Sequence, residues 1–330
     1  VEEYLNNHVE NIELDDVMYS KEFSDFGDVT YTEKTRAVIK IQDGCDRFCS
    51  YCIIPYARGR VRSRKPESII SEITQISSKG IKEVVITGIH IASYGKDFAM
   101  SKDLKLKNYR LIDLLEKINE IEGIERIRLG SIEPLLITEE FVERLTKLEK
   151  ICHHFHLSLQ SGCDETLKRM NRRYTTEQFE GIVKNLRKAY KDVNLTTDII
   201  VGFPGETEEE FDKTYQFLKE IKFYKMHVFK YSPRKGTKAA VMPNQVSGDI
   251  KEERSKKLIK LSDENQIEYN RKYIGREVEV LFEEEKNDIY KGHTQNYIMV
   301  YCKSNKSLDN QIVKVLCQKA EQEHILAKMW

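Results

Sequence analysis

The chain has no apolar run near the ~18 residues that a membrane-spanning helix needs, so no membrane span is expected. Its amino terminus lacks the basic, apolar, small-residue progression of a secretory signal. No excess of one charge exists either, with 54 lysines and arginines against 54 aspartates and glutamates. Neutrality removes a bulk attraction to nucleic acid but permits a local basic patch. A phosphate-cradling GxxxxGK[ST] loop is missing, as is a serine, histidine and aspartate set in a hydrolase context. Cysteine is sparse, seven in 330 residues, which excludes a disulfide framework and fits a reducing, cytoplasmic setting. None occurs before Cys45.

What cysteine there is lies concentrated. Residues 44–52 read Gly-Cys-Asp-Arg-Phe-Cys-Ser-Tyr-Cys, so Cys45, Cys49 and Cys52 are spaced CxxxCxxC. Thiolates favour zinc or iron–sulfur clusters over hard cations. Structural zinc needs a fourth ligand, usually from a second close pair, and Cys152 and Cys163 form no such pair. Three thiolates on a [4Fe–4S] cube leave one iron open to a small molecule. Two other readings stand beside it, a zinc site and three ordinary buried thiols. Cys152, Cys163, Cys302 and Cys317 read as small apolar groups, and His153, His154 and His156 as structural.

The chain's length allows a large core, about 75% of the unfolded surface, and more than one domain. Residues 1–34 are acidic and turn-rich and are expected to be a linker or the remnant of a preceding domain. From 35 the apolar period alternates between strand and helix: strands at 35–42, 83–87, 126–131, 155–159, 195–201 and 226–229, helices from Pro66 and over 111–121, 138–150, 175–190 and 207–221. Thr138 is placed to cap, and Thr175 with Gln178 and Thr207 with Glu210 read as capping boxes. This is an α/β pattern with a parallel sheet whose strand carboxyl ends form the functional edge. Residues 231–249 read as a long loop and 249–273 as a charged helix. Strands at 278–282, 293–301 and 311–317 then suggest a small antiparallel barrel suited to RNA contacts.

With the cysteine loop after the first strand, the later strand-end loops surround the open iron. Gly88 permits close backbone approach, Ser131 or Glu133 suits ribose hydroxyls, Arg172 a carboxylate, and Tyr51 a flat ring. Gln160, Asp198 and Phe229 complete the ring; Asp198 sits on an apolar strand and must be paired or neutralised. No side chain is assigned as catalytic. Arg58, Arg60, Arg62, Arg64 and Lys65 crowd one stretch and are expected to face phosphate.

The CxxxCxxC loop ahead of repeating βα units resembles the radical S-adenosylmethionine (SAM) superfamily. The stretches 44–64, 87–95, 131–134, 156–162 with 170–175, 198–207 and 231–236 are similar to its methylthiotransferases, and 292–300 resembles their terminal RNA-binding TRAM module. Within them, 31–37 and 156–163 look like the branch acting on N6-threonylcarbamoyladenosine-37 of tRNA. Branches acting on N6-isopentenyladenosine-37 or a ribosomal-protein aspartate are the alternatives.

The resemblance implies a partial (β/α)6 TIM-like barrel over 35–272, connecting helix included, followed by a TRAM β-barrel over 273–330. It implies a [4Fe–4S] cluster on Cys45, Cys49 and Cys52 and SAM chelated to its open iron, yielding a 5′-deoxyadenosyl radical. It further implies a tRNA anticodon stem-loop as partner, a flavodoxin or ferredoxin as electron donor, and a monomer. The family carries a second [4Fe–4S] cluster in a preceding three-cysteine domain, which is expected to be absent from this chain.

Overall fold

The computed structural model describes residues 35–329 together with Val17, Met18, Ser20 and 22–24. Most of the expected linker, including Tyr31-Thr32-Glu33-Lys34, and Trp330 lie outside the described residues.

Strand β1 (Arg36–Asp43) presents Ala37, Ile39 and Ile41, all fully buried, on one face, and leaves Val38 54% exposed on the other. A β-branched, alternating run of this kind suits a pleated surface packed on one side. The buried face meets Ile69, Ile73 and Ile76 in the same core as α2 (Pro66–Ser78), whose first-turn Pro66 is preset for helix entry. Each such isoleucine contributes roughly 1.5–3 kcal/mol through burial. Between them run a short helix, α1 (Ile54–Arg58), and a two-residue strand, β2 (Arg62–Ser63), antiparallel to β1.

Strands β3 (Glu83–Gly88) and β4 (Arg126–Leu129) extend the sheet in parallel. A second parallel sheet holds β5 (His154–Gln160), β6 (Asn194–Val201) and β7 (Lys225–Lys230). The two sheets join where Ile132 N–H donates to the His156 carbonyl (2.8 Å) and Ser158 N–H to the Ile132 carbonyl (3.0 Å). All six expected parallel strands are thus present, in chain order, in a curled half-barrel. Helices α3 (Leu111–Asn119), α4 (Glu139–Leu145), α5 (Asp164–Arg169), α6 (Thr176–Ala189) and α7 (Glu208–Ile221) occupy the connections.

Thr138 caps α4, and Thr175 with Gln178 forms the expected reciprocal box at α6. At α7 the expectation is half met. Thr207 accepts from Glu210 N–H, but the Glu210 carboxylate turns away to Arg169 and Thr166, a stronger charged partner than a backbone N–H.

Helix α8 (Gly248–Arg271) lies along β7, where Ser262 Oγ accepts from Met226 N–H (2.9 Å), and reaches on to the Glu321 and Gln322 carbonyls through Asn270. Beyond it β8 (Glu277–Lys286), β9 (Ile289–Thr294), β10 (Met299–Lys303), β11 (Ile312–Ala320) and β12 (Ile325–Lys328) close a barrel in the order β10-β12-β11-β8-β9. Val280, Phe282, Ile298, Val300, Val315 and Ile325 fill it. The single strand expected over 293–301 is corrected to two: the chain reverses at Asn296 and Tyr297, with Tyr297 at φ +70° and Thr294 N–H donating to the Ile298 carbonyl. No glycine or proline marks that turn, which falls where the polar run 293–296 gives way to the apolar run 297–301. Strand β12 was not expected.

The closed barrel covers the amino-terminal ends of the half-barrel strands. Glu83, fully buried, binds Arg36 (2.9 Å) and Arg128 (2.7 Å); Arg36 also reaches Glu283, and Arg126 and Arg128 donate to the His293, Glu279 and Gln295 carbonyls. His154, Tyr297 and His293 stack in series beside them. The cysteine loop leaves the opposite end of β1, so about 25 Å of strand separates the two, at ~3.3 Å per residue.

Candidate cluster site at the carboxyl end of the half-barrel

The cysteine loop is set by the residues that end β1. Gly44 has φ +71°, and a Cβ there would stand 1.8 Å from the Arg60 carbonyl oxygen, so only glycine lets Cys45 N–H reach the Gly59 carbonyl at 3.0 Å. Asp43 fixes the corner by accepting from Gly44 N–H (2.8 Å), Arg58 Nε (3.0 Å) and Lys40 Nζ (2.7 Å). Burial opposes its ionisation, but these donors outweigh burial and hold its carboxyl at about 2.

Two distant segments then grip the loop. Ser50 N–H donates to the Met170 carbonyl (3.1 Å) and its hydroxyl to the Arg169 carbonyl (2.8 Å), while Asn171 Nδ2 donates to the Phe48 carbonyl (2.9 Å). From the segment after β7, Ala239 N–H donates to the Ser50 carbonyl (2.7 Å). The end of α5, in the connection after β5, and the segment around Ala239, beyond β7, therefore meet on the cysteine loop that follows β1. Burial raises the thiols of Cys45 and Cys52, and the charge of Cys49 adds to it, so the three sulfurs lie within electrostatic reach of one another.

Among the described residues no three histidine, cysteine, aspartate or glutamate side chains converge closely enough to hold one metal ion. Three soft thiolates in one short loop are a donor set that fits a [4Fe–4S] cube, in which each iron takes one thiolate. Arg172 supports that fit, with Nη1 3.4 Å from Cys49 Sγ as a cationic donor to a thiolate. A further orphan lies close by. His90 Nδ1 meets Ser93 Oγ at 2.7 Å, but its Nε2 is buried without a partner, and burial, then Arg47, Lys96 and Arg172, pushes the imidazole down to about 3. A neutral ring with an unsatisfied nitrogen beside the cysteine loop is what a polar ligand would complete.

The other expected residues divide. Arg172 is not a free carboxylate fork, since Nε donates to Tyr174 Oη (2.9 Å) and Nη2 to the Ser158 carbonyl (3.0 Å). Glu133 is buried and bound to Arg47 at 2.5 Å rather than presented to a ribose. Tyr51 is half-buried, edge-on to Phe203 and packed with Met170, Tyr231 and Ala239. Gly88 has a packing reason of its own, because a Cβ would meet the Gln42 carbonyl oxygen at 2.8 Å. Asp198 is paired as expected, its Oδ2 3.1 Å from His156 Nε2. Gln160 is buried at φ +72° where β5 ends, Ser131 is exposed, and Phe229 is 54% exposed at the end of β7.

The cationic run is corrected. Arg62 and Arg64 are buried; Arg64 binds Glu72, and Arg62 donates to the Arg58 and Arg60 carbonyls and lies 3.8 Å from Asp43. A guanidinium taken out of water is held by a carboxylate or carbonyl inside the fold and is not presented to a phosphate in solvent. Arg58 also serves Asp43, which leaves Arg60, loosely paired to Asp46 at 3.2 Å, and Lys65 on the surface. Sequence reasoning missed Arg47, His90, Lys96 and the Ser50 anchors; the first lies inside the CxxxCxxC loop, and the others join it only through folding.

Comparison with known proteins places these features. Residues 39–218 match the family model described as the radical SAM superfamily. The threonylcarbamoyladenosine tRNA methylthiotransferase MtaB of Bacillus subtilis is 43% identical over 93% of this chain and 68% of its own length. The tRNA-2-methylthio-N(6)-dimethylallyladenosine synthase of Caldicellulosiruptor saccharolyticus is 41% identical over 90% of this chain and 62% of its own length. The chain thus spans about two thirds of these curated relatives. In fold it resembles the radical SAM methyltransferase TsrM of Kitasatospora setae, with TM-score 0.50 and 19% identity over 62% of this chain and 38% of that one.

Proposed function

The chain belongs to the radical SAM methylthiotransferase family, and on that premise we propose that it takes part in methylthiolation of C2 of N6-threonylcarbamoyladenosine-37 in tRNA. One observation carries the reading: a three-cysteine loop after β1, anchored by the connections that follow β5 and β7, in a chain 43% identical to a relative named for that nucleoside. A [4Fe–4S] cluster and SAM are the cofactors, and they supply a strongly oxidising carbon radical when the cluster is reduced.

The chain's own residues hold and orient. Cys45, Cys49 and Cys52 would hold the cluster, with Arg172 offsetting thiolate charge at Cys49. His90, Gln160 and Phe229 stand at strand ends and would contact the cofactor or the base, whereas Asp198 lies mid-strand in β6, opposite His227 and beside His156. The target adenosine would have to leave its stack to reach this edge. Arg60 and Lys65, exposed near the loop, would meet backbone phosphate, and Arg58 partly so. We assign 35–272 as the radical SAM unit and 273–330 as a TRAM unit. Because the closed barrel sits at the far end of the strands, it would hold the anticodon stem rather than the target base.

A flavodoxin or ferredoxin donor, a monomeric state and a cytoplasmic location belong to the same proposal; among the described residues no helix is long and apolar enough to cross a membrane. The second reading is N6-dimethylallyladenosine as substrate, favoured by the 41% identity to a synthase of that name. Nucleoside mass spectrometry of tRNA from cells with and without the gene decides. Loss of the methylthio derivative of threonylcarbamoyladenosine alone supports the proposal, and loss of the dimethylallyl one alone reverses it.

A further inference from the structure

Beside the cysteine loop lies a cavity of about 420 Å³ bounded by Arg47, Lys96, Arg110, Glu133 and Arg144. Its size falls within the range of small-ligand sites. Arg47 is the link to the chemistry, since it sits between Cys45 and Cys49 and also forms the cavity wall. Three acids stand on the wall. Glu133 binds Arg47, Asp113 binds Arg144 at 2.7 Å and the Arg110 N–H at 2.6 Å, and Glu140 is exposed. Arg110 Nη1 is taken by the Gly95 and Tyr109 carbonyls.

Two cationic donors are left over. Arg47 Nε is buried and has no acceptor, and Lys96, exposed at the cavity's rim, has no ion-pair partner among the described residues. Partial burial and then the charges of Arg47, Arg110 and Arg173 lower the Lys96 pKa, with only Glu133 opposing, so the ammonium stands among like charges. Donors of this kind are completed by an anion and left unpaired by a hydrocarbon.

The two relatives differ in that chemistry. A threonylcarbamoyl group ends in a carboxylate, whereas a dimethylallyl group is a neutral hydrocarbon. C2 and C6 flank N1 of adenine and N6 hangs from C6, so the carboxylate of the N6 substituent, about seven bonds from C2, leaves the base from the edge that is modified. We propose that the cavity between Arg47, Lys96 and Arg110 is the subsite for the carboxylate of the target's N6 substituent, with Lys96 its specificity-determining residue. This rests on the threonylcarbamoyladenosine reading above. A hydrocarbon substituent is disfavoured there because it leaves Arg47 Nε without an acceptor and gives Lys96 nothing to pair with.

The test is RNA binding by the cluster-reconstituted chain, with three anticodon stem-loops carrying at position 37 threonylcarbamoyladenosine, its methyl ester or adenosine, and SAM binding measured in parallel. Wild-type protein is expected to prefer the free acid, and Lys96→Met to lose roughly ten- to a hundredfold in affinity for it alone, as for a charge-assisted hydrogen bond. Lys96→Arg should keep the preference. Equal weakening of all three RNAs by Lys96→Met would assign Lys96 to backbone phosphate and overturn the subsite. A change in SAM binding with RNA preference intact would assign it to the SAM carboxylate and overturn it equally. If wild type prefers the acid and Lys96→Met retains that preference, the subsite alone falls; if wild type shows no preference, the nucleoside reading falls with it.

Discussion

Replacing Arg128 by Met tests how the closed barrel is fastened to the half-barrel. Arg128 is 4% exposed at its side chain, binds the fully buried Glu83 through Nε (2.7 Å) and Nη2 (3.3 Å), donates to the Gln295 carbonyl and lies over the Tyr297 ring. Removing one partner of a buried pair typically costs 3–5 kcal/mol, because the other charge is stranded. Arg36 remains 2.9 Å from Glu83, so Arg128→Met should fall at the low end, about 3 kcal/mol. Glu83→Leu strands Arg128 and takes one of two carboxylates from Arg36, which keeps Glu283, and should cost about 4 kcal/mol. The double variant removes both charges of the central pair, so its cost should fall short of the sum by about 2 kcal/mol, within the range of measured couplings. Urea unfolding followed by circular dichroism gives all three numbers. Strict additivity, or a cost below about 1 kcal/mol for Arg128→Met, would refute a buried ionic fastening. Burial opposes ionisation of Glu83, but Arg128 and Arg36 hold its carboxyl below the ordinary range. This contribution is therefore full above that range and fades as pH falls through the depressed value.

Cys49→Ala should abolish iron retention and visible absorbance after anaerobic reconstitution, and unchanged iron content would end the cluster assignment. Asp43, held at about 2 from an ordinary 3.8, binds fewer protons folded than unfolded between those values, so the loop corner it ties is fully stabilised above pH ~4 and loosens towards pH 2. An acid titration of amide exchange at Gly44 and Cys45 checks that window; protection unchanged down to pH 2 would contradict it. Arg60→Glu should weaken RNA binding and lower the slope of log affinity against log salt by about one, whereas Arg64→Met should destabilise the fold and leave that slope unchanged. A slope altered by Arg64→Met and untouched by Arg60→Glu would reverse the placement of the cationic run.

The alternation of Ala37, Ile39 and Ile41, and the five short apolar runs spaced between helices after it, made the parallel half-barrel legible, because strand-length apolar runs and 3.6-period helices are local properties. The turn at Asn296 and Tyr297 was not legible, since a left-handed residue there is enforced by barrel closure and not by glycine. The site divides the same way. CxxxCxxC spacing identifies three soft ligands within one loop, and a few residues of chain suffice to bring them together.

What sequence alone determined, then, is the class of chemistry and the alternating sheet-and-helix frame, both encoded within short windows of chain. Tertiary structure decided which charges are free to act. Arg62 and Arg64 look identical to Arg60 along the chain, yet Asp43 and Glu72 draw the first two inward and leave the third outside. Arg47, Lys96 and Glu133 become neighbours only when the ends of β1, β3 and β4 meet. Electrostatic partnership depends on distance in space, which separation along the chain does not set.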